Sequence, residues 1–308
     1  MAGLPRAIDG GGVSAEPVEP AAAAAPRCAA VATNESRARI DVSPFAPFLD
    51  LWRNRALLLA LTRREIEGRY RGSALGMLWS LATPLLTLAV YTFVFSVVFQ
   101  VKWGASNQGH GEFALVAFAG LLVFSAFAEP VGRAPTLVLA QANMVKKVVF
   151  PVQVLAGVAL GAALFQLLIG TGVLLLIGLL LGFIPGPTAL AFPAVVLPLA
   201  LGTLGLTWAL AAAGVYFRDL GQAVGLVVTL LLFLIPIFYP ASAVPEAFRP
   251  FIAYNPLAIL VEEGRAVLLW GRWPDWMALL VVGLLGWLIA WGGYLAFMKL
   301  RRGFSDVL

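Results

Sequence analysis

The sequence has very few of the side chains that build metal sites and catalytic centres. Its 308 residues include one cysteine, Cys28, and one histidine, His110. This excludes a disulfide framework, a Cys/His metal cluster and a His-based catalytic triad within one chain. No GxxxxGK[ST] phosphate-binding loop occurs either, so we expect the chain not to bind ATP by itself. We therefore expect no enzyme activity, metal or cofactor in this chain.

Charged residues are scarce as well. Only 12% of the residues are charged, whereas 61% are hydrophobic and the mean hydropathy is +0.91. One soluble core cannot bury so much apolar surface, and the composition indicates an all-α polytopic membrane protein. The basic residues flank the apolar runs and form no long stripe, which argues against a nucleic-acid partner.

Six apolar runs are candidates for transmembrane helices, since about 20 residues cross a hydrocarbon core of about 30 Å. The third run contains the pairs Gly157/Gly161 and Gly178/Gly182, whose spacing permits close helix packing. The predicted spans are residues 77–98, 113–128 with a continuation to 140, 152–183, 190–215, 221–239 and 277–297.

Positive charges near the spans predict their orientation. With both termini in the cytosol, thirteen Lys and Arg residues lie inside and four lie outside, in agreement with the positive-inside rule. The thirteen are Arg53, Arg55, Arg63, Arg64, Arg69, Arg71, Arg133, Lys146, Lys147, Arg218, Lys299, Arg301 and Arg302, and the four are Lys102, Arg249, Arg265 and Arg272.

The N-terminal part divides into a tail and a membrane-associated segment. Residues 1–44 are rich in Ala, Pro, Gly and Glu, and we expect a disordered cytosolic tail. Residues 45–62 have apolar side chains at helical spacing, which predicts a helix in the membrane interface or, alternatively, a short helix packed on the cytosolic ends of the spans. A basic flank then continues to residue 76 and contains Arg63, Arg64, Arg69 and Arg71.

Charged residues interrupt the second span. A charge at the bilayer centre costs about 2.5–3.5 kcal/mol, so Glu129 needs an explanation. Arg133 follows one helical turn later, and we expect the two to pair where the span reaches the cytosol. An ion relay is the alternative interpretation.

One short loop and two spans have further candidate patterns. Residues 141–151 place Met144 with Val148 at four-residue spacing beside Lys146 and Lys147, as in a short partner-binding helix or an ordinary basic loop. Polar and aromatic stripes on the first and fifth spans suit either a sugar conduit or simple helix packing. The stripes are Thr83, Thr87, Tyr91 and Phe95, and Gln222, Thr229, Phe233, Pro236 and Tyr239.

The segment of residues 244–274 is too apolar for a solvated loop and too charged for a span. We expect re-entrant or interfacial helices that form an outer gate between spans five and six, because irregular backbone at membrane depth must be buried in protein or line an aqueous cavity. The candidate gate residues are Phe251, Tyr254, Asn255, Glu262, Glu263 and Arg265.

Several short motifs follow one another between about residues 45 and 305. They are Arg63-Arg64-Glu65, Arg69-Tyr70-Arg71-Gly72-Ser73, Leu75-Gly76 with Trp79 and Thr83-Pro84, Asn143 with Lys147 and Phe150-Pro151, Phe217-Arg218-Asp219-Leu220, Pro236-Ile237-Phe238-Tyr239-Pro240 and Asn255-Pro256-Leu257. In this order they resemble the ABC-2 type permeases that export bacterial cell-surface polysaccharides, including O-antigen, capsule and teichoic acid. The tail before Phe45 is longer than that family requires.

The resemblance implies a homodimeric permease in the bacterial inner membrane, surrounded by membrane lipids. Two copies of a separate ATPase would bind ATP and Mg²⁺ and drive export of a glycan attached to a polyprenyl diphosphate lipid. A drug or small-lipid ABC-2 exporter is the alternative. A membrane-embedded enzyme is a weaker one, because the sequence has no cluster of acids or histidines.

The resemblance also implies roles for particular residues. Residues 45–62 resemble the interface helix, residues 245–270 resemble periplasmic gate helices, and the first and fifth spans would line the conduit. At the cytosolic mouth, Arg63, Arg64, Arg69 and Arg71 would bind the lipid diphosphate bidentately, although orientation alone would also explain their position. The ATPase-coupling residues would be Asn143, Met144, Val145, Lys146, Lys147, Val148 and Phe150.

Overall fold

The computed structural model describes residues 42–73, 76–94, 110–141, 150–240 and 243–304, and these are helical without strands. Most of the predicted tail, the end of the first predicted span and most of the loop at 141–151 lie outside them. Apart from short 3₁₀ turns, the described chain forms ten α-helices. They are α1 (Ala46–Arg53), α2 (Arg55–Tyr70), α3 (Trp79–Tyr91), α4 (His110–Leu137), α5 (Val154–Leu180), α6 (Phe192–Tyr216), α7 (Leu220–Leu234), α8 (Arg249–Ala253), α9 (Pro256–Leu268) and α10 (Trp276–Leu300).

Four helical segments are long and apolar enough to cross a membrane, which supports a multi-pass membrane protein. They are Phe113–Leu137, Val154–Leu180, Pro187–Tyr216 and Trp276–Gly303. The first and fifth predicted spans correspond to the shorter apolar helices Trp79–Val94 and Leu220–Leu234. Six full-length spans were predicted, and within the described residues four of them are long enough to cross a membrane.

The fifth predicted span is wrong at its C-terminal end. Helix α7 ends at Leu234, and residues 235–239 are not helical. Proline disfavours the α conformation of the residue before it, and Ile235, which precedes Pro236, is extended with φ −83° and ψ 139°. This break leaves backbone carbonyl groups that must find donors outside the helix.

The N-terminal segment forms two helices that lie against the bundle. They meet at Asn54, whose side-chain amide donates to the carbonyl oxygen of Asp50 at 2.8 Å. Helix α2 includes the basic flank as far as Tyr70 and packs on α5, where Gly157 and Gly161 leave room for its side chains. The predicted close packing at this glycine pair is confirmed, with α2 as the partner.

The second glycine pair of α5 has another role. Gly182 has φ +85°, and the backbone N–H of Phe183 donates to the carbonyl oxygen of Gly178 at 2.8 Å. A left-handed glycine in this arrangement ends a helix. Gly182 therefore ends α5 and does not pack against another helix, whereas an added Cβ at the buried Gly178 would lie 3.9 Å from Leu115 of α4. Close backbone packing instead joins α6 to α10, where Gly205 and Gly293 leave no space for a Cβ atom.

The bundle has two ends, each with its own apolar core. The basic side carries α1, α2 and the turn Arg301–Gly303, and its core includes Phe150, Trp208 and Phe297. The far side carries the turn at Gly186 and the C-terminal end of α9, and its core includes Phe118 and Ile237. The candidate sites lie at these two ends.

Candidate functional sites at the two ends of the bundle

Four charged side chains join α2 to α4 at the basic side. Arg133 donates to Glu65 at 2.8 Å, and Arg69 forms an ion pair with Glu129. Distances of 3.8 Å separate the charged N and O atoms of Arg69 and Glu65 and those of Arg133 and Glu129. The predicted pairing of Glu129 with Arg133 is confirmed as one edge of this network. The network holds the basic flank against the second predicted span.

The four arginines expected to bind a diphosphate have different surroundings. Arg63 donates to Glu67 at 2.7 Å, and this carboxylate raises the pKa of Arg63. Arg69 belongs to the four-residue network. Arg64 and Arg71 form no ion pair with a described residue, and both line an open cavity of about 680 Å³ together with Glu67, Gly68 and Tyr70.

A second cavity adjoins the first through Arg64 and Gly68. It has a volume of about 280 Å³ and lies between α2, α4 and α5. Arg64, Arg133 and Glu65 are its charged lining residues, and its apolar lining comes from Leu61, Leu137, Ala140, Phe150, Leu155, Val158 and Ala159. Glu65 pairs with Arg133, so Arg64 is the cation of this cavity that forms no ion pair with a described residue, and a cation beside an apolar lining has the chemistry to contact the headgroup of an anionic lipid.

Sequence reasoning missed a polar network centred on Asp50 in α1. The Asp50 carboxylate accepts hydrogen bonds from Nε2 of Gln153 at 2.7 Å, from the hydroxyl of Tyr294 at 3.1 Å and from Nδ2 of Asn54 at 3.2 Å. Arg301 donates to Oε1 of Gln153 at 3.0 Å. The network connects α1 and the end of α10 to the residue that precedes α5. A lone acid in the apolar run of α1 was the available signal, because a carboxylate in such surroundings needs donors.

The predicted ATPase-coupling residues fall mostly outside the described part of the chain. Residues 143–148 lie outside the described residues, and their role stays a prediction. Phe150 is described and is 8% exposed. It packs in the core of the basic side with Val138 and Val152, so it anchors the end of the loop in the bundle.

Most of the predicted conduit residues lie on α3 and α7, two helices with largely exposed apolar faces. Helix α7 has a single buried residue, Val224, and its Phe233 is 64% exposed. The ring of Tyr91 stacks on Phe238 with centroids 5.0 Å apart, which brings the end of α3 beside the break after α7. Phe95 lies outside the described residues. Of the others, Thr83, Gln222 and Thr229 are exposed, Thr87 is half-buried, and the hydroxyl of Tyr239 donates to the carbonyl oxygen of Phe233 at 2.9 Å.

A fully buried arginine organises the far side. Arg265 of α9 donates through Nε to the carbonyl oxygen of Val116 at 3.0 Å, and through Nη1 and Nη2 to those of Pro236 and Ile237 at 2.8 Å each. Nη1 also lies 3.3 Å from Glu262. Burial lowers the pKa of Arg265 to about 10, so the guanidinium is still protonated at neutral pH. It supplies donors to the carbonyls that the break after α7 leaves unpaired.

The other predicted gate residues divide into structural and exposed side chains. Asn255 caps α9 by accepting the backbone N–H of Leu257 at 3.0 Å. Glu263 accepts the backbone N–H of Asp275 at 3.0 Å. Phe251 and Tyr254 are 73% and 84% exposed. The aromatic residues are therefore the available contact surface of this segment.

Comparison with known proteins finds a matching family and similar individual proteins. Residues 56–269 match the model of a protein family that is described as ABC-2 type transporter. The O-antigen export system permease protein RfbA of Myxococcus xanthus is 32% identical over 259 residues, which cover 83% of this chain and 97% of that protein. Two proteins of the same name from Klebsiella pneumoniae are 27% and 28% identical over 253 and 255 residues, covering 82% of this chain and 95% of each relative.

Proposed function

This chain belongs to the ABC-2 type transporter family, and we propose that it is the membrane permease subunit of an ATP-driven exporter of lipid-linked polysaccharide. One observation carries the proposal: the similarity to O-antigen export permeases extends over 95–97% of those proteins. The helical multi-pass fold agrees with it. The lack of a phosphate-binding loop in the sequence agrees with ATP hydrolysis by a separate subunit.

Deletion of the gene tests this function directly. The deletion strain should lose surface glycan, measured with an antibody or lectin, and should accumulate lipid-linked polysaccharide in extracts. Expression of the intact chain should reverse both effects. Normal surface glycan together with altered drug tolerance would contradict the proposal and would indicate a drug or small-lipid exporter.

We place the protein in the bacterial inner membrane with the basic side in the cytosol. The support is the excess of Arg and Lys at that side, where α2 and the turn at Arg301–Gly303 lie. Both termini would then be cytosolic. The lipid-linked cargo would enter at the basic side and leave at the far side, where the exposed aromatics of residues 244–274 would form the gate.

We propose that two of these chains assemble with two copies of the ATPase, which binds ATP and Mg²⁺. The basic loop would contact the ATPase through Met144 and Val148, the apolar pair at four-residue spacing. Replacing both residues with Asp should abolish permease-stimulated ATP hydrolysis while the chain still inserts. Unchanged stimulation in a complex of normal composition would contradict this contact.

Helices α3 and α7 would pair the two chains and line the conduit. The support is their exposure: Val90 of α3 and Leu230 and Phe233 of α7 are each more than half exposed. In a Cys28→Ser background, Phe233→Cys should react with an aqueous thiol reagent during transport. Leu284→Cys, on the exposed face of α10, is the lipid-facing control. Equal protection of both cysteines would contradict a water-filled conduit at α7.

Arg64 and Arg71 are the preferred diphosphate ligands among the four arginines. They share an open cavity, whereas Arg63 and Arg69 pair with glutamates. Arginine binds phosphate oxygens bidentately, and neutral glutamine does not. The variant Arg64→Gln/Arg71→Gln should lose export with normal assembly, and Arg63→Gln should retain it. Equal export by the two variants would contradict this assignment.

A further inference from the structure

We propose that Arg265 is a positioning residue that closes the base of the loop formed by residues 236–265 and holds this loop against α4 while cargo passes the far side. The contact itself is a property of this chain. Only its role while cargo passes the far side depends on the proposed transport function.

The need for the contact begins with proline. Pro236 ends α7, and its own carbonyl group and that of Ile237 no longer have partners in a regular helix. Inside a membrane, an unpaired backbone group costs several kcal/mol. Arg265 donates hydrogen bonds to both carbonyl oxygens, from Nη1 and Nη2 of one planar guanidinium group. A lysine ammonium lacks this fixed fork of donors.

The same guanidinium reaches a third element. Its Nε donates to the carbonyl oxygen of Val116 in α4 at 3.0 Å. Gly120, one turn later, makes the approach possible, because an added Cβ there would lie 2.5 Å from Nη2 and 3.0 Å from Cζ. The recess at Gly120 and the donors of Arg265 are therefore two halves of one contact.

The loop closed in this way contains an exposed helix. Helix α8 has no fully buried residue, and the aromatic residues Phe251 within it and Phe248 and Tyr254 at its two ends are exposed. Helix α9 is held a second time, by the hydroxyl of Thr188, which donates to the carbonyl oxygen of Val267 at 2.9 Å. Both ends of the loop are thus held, while α8 contacts the core only through the half-buried Ile252. This arrangement lets α8 change position without separating α9 from the break after α7.

A buried reporter cysteine tests the contact without reference to transport. Ile235 is 0% exposed and lies next to the supported carbonyls, so Ile235→Cys in a Cys28→Ser background is the reporter. In the complex with the ATPase, Gly120→Ala should displace the guanidinium and increase the rate of labelling by an aqueous maleimide about tenfold, through the loss of one or two hydrogen bonds. Gly132→Ala is the matched control, because an added Cβ at this position of α4 meets nothing within 4 Å. Equal labelling rates in the two variants would overturn the proposal.

A double-mutant cycle distinguishes one shared contact from two separate defects. Arg265→Gln should increase labelling of the reporter, and Gly120→Ala should add nothing in that background, because no guanidinium is left to displace. Additive effects would overturn the shared contact. Arg265→Lys should not restore protection, and full rescue by lysine would contradict the need for a fork of donors.

Export measurements test whether the contact of Arg265 holds the loop while cargo passes the far side. Gly120→Ala should reduce surface glycan at least severalfold compared with Gly132→Ala, with normal assembly and ATP hydrolysis. Normal export by Gly120→Ala despite faster labelling would overturn the positioning role. The deletion strain tests the transport function itself, so the two failures are distinguishable.

Discussion

The two sides of this protein use charged residues in opposite ways. On the basic side, Glu65, Arg69, Glu129 and Arg133 pair side chain to side chain, and these side chains are 25–47% exposed. On the far side, Arg265 is fully buried and donates to backbone carbonyls of two elements. Water and salt screen the first arrangement and do not reach the second. The basic network can therefore exchange partners at low cost, whereas the contact of Arg265 cannot.

This difference matches the tasks that we propose for the two sides. A side that receives a lipid headgroup and an ATPase benefits from charges that can re-pair. A side that closes the exit of a conduit needs a base that stays in place while α8 moves. Substitutions of charged residues at the two sides should therefore differ in their cost to stability.

Loss of the buried guanidinium should have the largest effect on stability. Arg265→Met keeps an apolar stem but removes the donors of three carbonyls, and we expect a loss of about 3–5 kcal/mol. Denaturation of the purified protein in detergent, followed by fluorescence, measures the change. Arg249→Met is the control, because this arginine is half exposed and pairs with the exposed Glu246. A loss as small as that of the control would remove the contrast between the sides.

The Asp50 network should give an intermediate effect. Asp50→Ala removes the acceptor shared by Gln153, Tyr294 and Asn54, and we expect a loss of about 1–3 kcal/mol in the same assay. Tyr294→Phe removes one of these hydrogen bonds and should cost about 1 kcal/mol or less. If the two variants are equally stable, Asp50 is not the centre of the network.

The exposed ion pairs should contribute least, and their contribution should depend on salt. Arg133→Gln should cost about 0.2–1 kcal/mol at low ionic strength and nearly nothing in 1 M salt, where the Debye length is about 3 Å. The cost of Arg265→Met should stay the same in both buffers. Arg63→Gln, which breaks an exposed pair with Glu67, should leave the unfolding curve unchanged. A salt-independent cost at Arg133 would show that its pairs are more shielded than their exposure indicates.

Contacts within one helical turn could be predicted, and contacts between distant segments could not. Glu129 and Arg133 are four residues apart, so helical geometry alone indicated their pairing. Glu65 precedes Arg133 by 68 residues, and its contribution required the docking of α2 on the bundle. The importance of the 244–274 segment and of Arg265 was visible in its mixed composition. The partner at Val116, 149 residues away, was not.

The effects of glycine and proline likewise divide into those that the local sequence predicts and those that depend on distant segments. Pro236 determines locally that α7 cannot continue as predicted, because the ring removes an N–H group and restricts the residue before it. Four-residue spacing did not distinguish Gly157 and Gly161, which accept α2, from Gly182, which ends α5 at φ +85°. Both pairs have the same spacing in the sequence, and only the structure shows that α2 lies against the first pair and that α5 ends at the second.

By itself, the sequence determined that this is a helical membrane protein with a basic flank, a family pattern and a charged segment that is neither loop nor span. These properties follow from hydropathy, charge and backbone chemistry, which act over one or two turns. Only the tertiary structure decided that Asp50 joins α1 to the start of α5 and that Arg265 joins α4, the break after α7, and α9. The physical reason is that a buried polar group needs a partner, and folding chooses that partner from residues far away in the chain.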